Sequence, residues 1–251
     1  MAEPARRIPL VPEDDPFRYG FRERMVRRPD GSSDYVQIPL TLDDLLNPQI
    51  DDHVTQSGQH FALVKDLFER LERRYASRDD VVVCADRKLL WRIAGLPDPG
   101  PDIMVIRGVR DKARIEKNES FDADREGARP CFIAEIVSLS HPELWDMDHN
   151  TKRKVYERAG VPEYLIVDPF SAERRLPLVL TGYRLGPRRR YRRIPPDSQE
   201  RLLFETVGLL IGPAPDGQNL EMTDAVTGEK LLPAREEAAR LREELERLGR
   251  G

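Results

Sequence analysis

CFIAEIV (131–137) and EYLIVDP (163–169) bracket a stretch with helical patterning from about Pro142 to Ala159. Each flanking run is short, apolar and rich in β-branched side chains, which predicts strands covered on both faces. Strand, helix, strand in this order is a βαβ unit with a right-handed crossover. Glu135 stands in the middle of the first strand. An ionised carboxylate among apolar neighbours is costly unless a cation or several donors meet it. Glu135 is either a paired structural charge or a group kept for chemistry.

Working outward, VVVCA (81–85), KLLWRI (88–93) and DIMVIRG (102–108) read as further strands, the last entered from the turn-rich GLPDPGPD (95–102). Apolar residues Phe61, Val64, Leu67, Phe68 and Leu71 recur at helical spacing within 56–75 and predict a helix there. TLDDLLNP (41–48) has Thr41 three positions before Asp44, the spacing of a capping box. The charged segment 109–129 is expected to be a loop. TGYRLGPRRRYRRI (181–194) alternates around a Gly-Pro turn and predicts a hairpin, with weaker β character as far as about residue 232. The expected class is α/β: a mixed central sheet flanked by helices, with a β-rich tail and a C-terminal helix. Residues 1–40 read as an irregular arm, 41–232 as the folded domain, and 233–251 as a charged helix.

The net charge is −4, so any affinity for nucleic acid must come from local patches. No apolar run approaches the length of a membrane span. MAEPARRIPLVPEDDPFRYG (1–20) lacks the apolar segment of a secretory signal, which points to the cytoplasm. Cys84 and Cys131 both lie in apolar strand-like runs, so reduced buried thiols are expected rather than a disulfide or a zinc site.

Only seven of the 41 basic residues are lysines, so each lysine near candidate chemistry is informative. At about 100° per residue, Leu144, Trp145, Val155, Tyr156 and Ala159 share one face of the 142–159 helix. Asp148 and Lys152 fall in that stripe, whereas Arg153 and Lys154 point away from it. Lys152 is therefore aimed at the sheet that carries Glu135. Asp102 follows Pro101 at the mouth of a neighbouring strand. Two carboxylates and a lysine converging on a sheet suit metal-assisted phosphodiester hydrolysis. The carboxylates hold a hard cation, Mg²⁺ or Mn²⁺, and the lysine stabilises charge developing on the phosphate.

Pro101-Asp102, EIVS (135–138), Asp148-x-x-x-Lys152-x-x-x-Tyr156 and AGVPEYLIVDP (159–169) resemble a large bacterial family of restriction endonucleases in the PD-(D/E)xK nuclease superfamily. The resemblance spans roughly residues 41–232 and includes GYRL (182–185). It implies a restriction-endonuclease-like fold and a DNA substrate. It also implies catalytic roles for Asp102, Glu135 and Lys152, and metal ligation by Asp102, Glu135 and the Ile136 carbonyl. The superfamily sets its lysine two residues after the acid; here that position is Val137. The matching lysine is Lys152, moved to the following helix, in agreement with the helical wheel.

Plainer readings stand beside these. Asp148 and Lys152 are an i,i+4 pair that can simply neutralise one another, and Asp102 can be a turn acid after proline. Asp146, Asp148 and His149 sit early in a helix, where its dipole favours acids. His60 matches a histidine common in the family, and His60, Asp148 and Tyr156 are placed at the border of the site. Arg188, Arg189 and Arg190, interleaved with Tyr183 and Tyr191, suit phosphate contacts, or form a solvated face. Cleavage of both strands by one site per chain favours a two-fold homodimer. The competing function is a catalytically inactive nuclease fold serving as a nucleic-acid-binding or protein-interaction module, a reading that Val137 and the acidic net charge favour.

Overall fold

The computed structural model describes residues 15–138, 142–171 and 176–248. Residues 20–39, expected to be irregular, form a hairpin of β1 (Gly20–Arg27) and β2 (Ser33–Pro39). Its Asp30-Gly31 turn has Gly31 at φ +86°, a conformation that glycine adopts without strain. Helix α1 (Leu42–Leu46) starts at the Thr41 capping box, with Asp44 as reciprocal partner. Strand β3 (Asp52–Val54) then joins β1 on its other edge to complete a three-stranded sheet.

Helix α2 (Gly58–Arg74) is capped by the Ser57 side chain, which accepts from the His60 N–H. Its buried face carries Leu63, Val64, Leu67 and Leu71, whereas Phe61 is exposed. β4 (Val81–Ala85), β5 (Lys88–Leu90) and β6 (Ile103–Arg107) follow. The segment expected to be a loop holds α3 (Lys112–Glu116), β7 (Ser120–Asp122) and α4 (Ala123–Glu126). β7 pairs with β5 as a small parallel ribbon. Asp111 and Asp122 cap the two short helices, the local signal that the density of charge had hidden.

The βαβ unit is present as expected. β8 (Pro130–Ile136) leads into α5 (Pro142–Asp146), a π-helical segment (Met147–Lys152) and α6 (Arg153–Ala159), then β9 (Glu163–Asp168) parallel to β8. Gly160 ends α6 at φ +84°, and the Val161 N–H reaches back to the Tyr156 carbonyl, closing a Schellman-type turn. β10 (Val179–Leu185) and β11 (Tyr191–Arg193) form the expected hairpin. The tail is an antiparallel sheet of β12 (Leu202–Phe204), β13 (Leu209–Pro213) and β14 (Leu220–Asp224), and α7 (Ala234–Leu248) closes the described chain.

The central sheet runs β11-β10-β9-β8-β6-β4, with β8 and β9 its parallel pair. One face is covered by α2 and the tail sheet, which pack Leu67, Leu71, Phe204 and Ile211 against Val105, Phe132, Ala134 and Leu165. The opposite face packs Val155, Tyr156, Trp91 and Phe121 against Met104, Ile133 and Ile166. Layers on both faces make the sheet interior dry, which explains why its strands read as continuous apolar runs. No helix among the described residues is long and apolar enough to cross a membrane.

Candidate active site

Antiparallel pairing sets Ile103 of β6 opposite Ala134 of β8. One step further along the same register brings Asp102 beside Glu135, with both side chains on the face covered by α6. The contacts are direct. The Asp102 N–H lies 3.4 Å from Glu135 Oε2, and the Ile136 N–H donates to Asp102 Oδ2 at 2.6 Å. Glu135 has no exposed surface. Its Oε1 accepts from the Tyr156 hydroxyl, and its Oε2 accepts from Lys152 Nζ at 2.8 Å. Lys152 also meets Asp148 Oδ1 at 3.0 Å.

The helix that delivers Lys152 departs from the ideal wheel, because Met147–Lys152 is π-helical rather than α-helical. Such widened turns are rare and concentrate at functional sites. Met147 and Asp148, within this turn, are buried. Lys152, its last residue, reaches both acids, whereas Lys154 is exposed.

A cavity of about 660 Å³ opens on this cluster, lined by His60, Asp86, Asp102, Ile136, Asp148 and Lys152. Its outer wall comes from the N-terminal sheet and its connections, through Tyr19, Ile50 and Val54. Sequence reasoning missed that wall, having read the segment as irregular, and it also missed Asp86. The signal for Asp86 was an acid placed directly after the apolar run VVVCA. Asp86 adopts φ +46°, a region that costs a side chain strain and is characteristic of functional positions. Glu135 lies behind the cavity wall and touches the lining residue Lys152.

Burial pushes the Glu135 carboxyl up to about 8, with Asp102 and Asp148 adding to the shift and Lys152 opposing it. Burial would raise Asp102 too, but His60, Lys152 and the Ile136 N–H hold it below the usual carboxylate range. The two neighbouring acids are thus driven apart, one ionised and one inclined to keep a proton. Burial would discharge Lys152, yet Asp148, Glu135 and Asp102 keep it charged well above the ordinary lysine range. His60 is pulled against its burial to about 9 by Asp102. Its Nε2 stands 3.4 Å from Asp102 Oδ1, and neither ring nitrogen has a well-formed hydrogen bond among the described residues. Charge attraction to Asp102 is the largest of the effects that raise His60, with the close polar contact to Asp102 and the charges of Asp86 and Asp148 adding to it.

Four acids (Asp86, Asp102, Glu135, Asp148) therefore surround two bases (His60, Lys152) at one cavity. Protein oxygens in acid surplus are the donor chemistry of a hard divalent cation. Among the described residues, no group of three or more His, Cys, Asp or Glu side chains is arranged to hold a metal ion by itself. Two carboxylates completed by water and substrate oxygens is the usual way that Mg²⁺ is held. The donor set fits that ion.

The remaining candidates lie elsewhere. Asp146 is exposed and accepts from Asn150, and His149 turns away from the acids to meet Asp168 Oδ2 at 2.8 Å. The hairpin tip carrying Arg188, Arg189 and Arg190 projects from the opposite end of the sheet. Glu135 is level with Ile166 and so with Thr181, and four residues separate Thr181 from Leu185 at the tip, roughly 13 Å of strand. Arg190 there pairs with Glu157 at 2.7 Å, and Arg189 lies over Gly160. Arg184 is committed to Glu163 and Glu205. Cys84 and Cys131 are free thiols.

Residues 35–211 match the sequence model of a family described as "Uma2: Putative restriction endonuclease". Among solved structures, one similar chain is the crystal structure of a "putative nuclease belonging to DUF820" from Anabaena variabilis. It is 13% identical with a TM-score of 0.39, over 69% of this chain and 79% of that one. No curated protein matches.

Proposed function

The chain belongs to the Uma2 family, and from that premise we propose that it is an endonuclease hydrolysing DNA phosphodiester bonds with Mg²⁺ or Mn²⁺. The observation that carries the reading is the buried contact of Glu135 with Lys152 beside Asp102, at the wall of a cavity with surplus acid. Asp102 and Glu135 would hold the cation, with the Ile136 carbonyl completing the protein ligands and Asp148, on the other side of Lys152 Nζ, adding negative charge. The cation would supply Lewis acidity to the scissile phosphate and to the attacking water.

The chain's own groups do the rest. Lys152 is the fixed positive charge for the phosphate in the transition state, kept ionised by the acids around it. Asp148 holds its ammonium toward the cavity, and Tyr156 fixes the Glu135 carboxylate from the side of the core. His60 keeps Asp102 ionised. Cleavage of both strands would follow from a two-fold pair of chains.

The test is nicking of supercoiled plasmid by purified protein with Mg²⁺, with Mn²⁺ and with EDTA, beside Glu135→Gln. Metal-dependent nicking that Glu135→Gln abolishes supports the reading. Nicking that survives EDTA or the substitution overturns it. An inert protein that binds neither cation in calorimetry would support the rival reading of a binding module that keeps the fold without the chemistry.

A further inference from the structure

A second cavity, about 500 Å³ in volume, lies across the α5–π–α6 helix from the acid site. Asp148 and Lys152 face the first cavity, whereas Trp145, His149 and Arg153 face the second. Roughly one helix diameter, ~10–12 Å, separates them.

The wall of this second cavity combines flat rings and two guanidinium groups with the apolar Pro169, Leu176, Pro177 and Val179 and with the Asp168 carboxylate, which His149 engages. Trp145 stacks on His149 with centroids 4.1 Å apart and planes 19° from parallel, and His149 is fixed by Asp168. Arg153 lies over the Tyr183 ring at 5.5 Å, and its Nε donates to the His149 carbonyl at 3.0 Å. Arg193 is exposed at the rim and donates to Thr181 Oγ1 at 3.1 Å.

Each simpler ligand fits only half of this wall. An apolar molecule would make no use of the remaining N–H donors of the two guanidinium groups, and an inorganic anion would leave the aromatic surfaces unused. A nucleotide supplies both parts: a planar base for stacking and a phosphate for forked N–H donors. A duplex cannot present its base faces without unstacking, so the fitting form is single-stranded or flipped. We infer that this cavity takes one unpaired nucleotide of the strand entering the acid site. The base lies against the Trp145–His149 stack and the phosphate at Arg153 and Arg193. The inference deepens the nuclease reading and rests on it for the identity of the strand, but its test needs neither metal nor turnover.

The chain has two tryptophans, and Trp91 is only 1% exposed, so Trp145 is the one a ligand in this cavity can reach. The experiment follows tryptophan emission of the full chain in EDTA while a short single-stranded oligodeoxynucleotide is added. Saturable quenching is expected in wild type and absent from Trp145→Phe. Arg153→Met and Arg193→Met should each weaken it at least about fivefold, the low end of what one stacked or phosphate contact contributes. Lys154→Met, which removes an exposed charge from the same helix, should leave it unchanged. Absent quenching, equal weakening by Lys154→Met, or equally tight binding of tripolyphosphate would overturn the nucleotide site. Quenching without plasmid cleavage would keep this site and sink the hydrolytic reading; cleavage without quenching would sink this site alone.

Discussion

Lys152 Nζ sits between two acids, 2.8 Å from Glu135 Oε2 and 3.0 Å from Asp148 Oδ1, with Glu135 wholly buried. Removing one member of a buried ion pair ordinarily costs about 3–5 kcal/mol, because the other charge is left without a partner. Glu135 has an escape, since burial already raises its carboxyl and loss of Lys152 would raise it further, so that it can take up a proton instead of standing as an unpaired charge.

Lys152→Met is therefore expected to fold at neutral pH with a lowered melting temperature. Its turnover should fall on the order of 10²-fold or more while cation binding is largely kept. Lys154→Ala should change turnover little, because its side chain is exposed. Plasmid cleavage rates and calorimetric metal titration of both variants check this. Equal activity in wild type and Lys152→Met would remove Lys152 from the chemistry.

Asp102→Asn and Glu135→Gln keep side-chain shape while removing charge. Each is expected to weaken Mn²⁺ binding at least about tenfold, as loss of one of two charged oxygen ligands should. Lys152 remains paired with Asp148 when Glu135 is neutral, so Glu135→Gln should stay folded. Isothermal titration beside circular dichroism separates the two effects. Undiminished Mn²⁺ affinity in both variants would move the cation elsewhere.

The hairpin arginines make a separate prediction. Arg190 is engaged by Glu157 and the tip stands away from the acids. Replacing Arg188, Arg189 and Arg190 by alanine should lower the salt dependence of DNA affinity by at most about two phosphate contacts, each contributing a slope of ~0.9. Turnover on saturating DNA should be unchanged. Affinity measured across a salt series decides, and an unchanged slope assigns the tip to solvent.

Asp224 provides a test of stability that is independent of catalysis. Its carboxylate accepts from the Thr227 and Val226 N–H groups, each at 2.8 Å, and meets Arg74 Nη1 at 2.6 Å. The Thr227 N–H first, then Arg74 and the Val226 N–H, hold its carboxyl well below the usual range. A depressed folded-state pKa stabilises the fold above the unfolded carboxylate value of about 3.9, and the contribution fades as pH falls below it. Asp224→Asn should melt below wild type at pH 7, with the gap narrowing as pH drops below roughly 4. A gap independent of pH would show that the charge contributes nothing there.

The local sequence determined the βαβ unit, the Thr41 capping box, the 181–194 hairpin and the aim of Lys152 toward Glu135. Each follows from periodicity or from side chains within a few residues of one another, and the apolar strands advertised a sheet covered on both faces. Pairing across the sheet is a different matter. That Asp102 stands beside Glu135 depends on the β6–β8 register, which only tertiary packing fixes. The β1–β2 hairpin was obscured because many of its side chains face solvent, leaving the Asp30-Gly31 turn as its local signal; its pairing shows in the backbone hydrogen bonds. The π-helical turn has no compositional signal at all. It shows only in the backbone of Met147–Lys152.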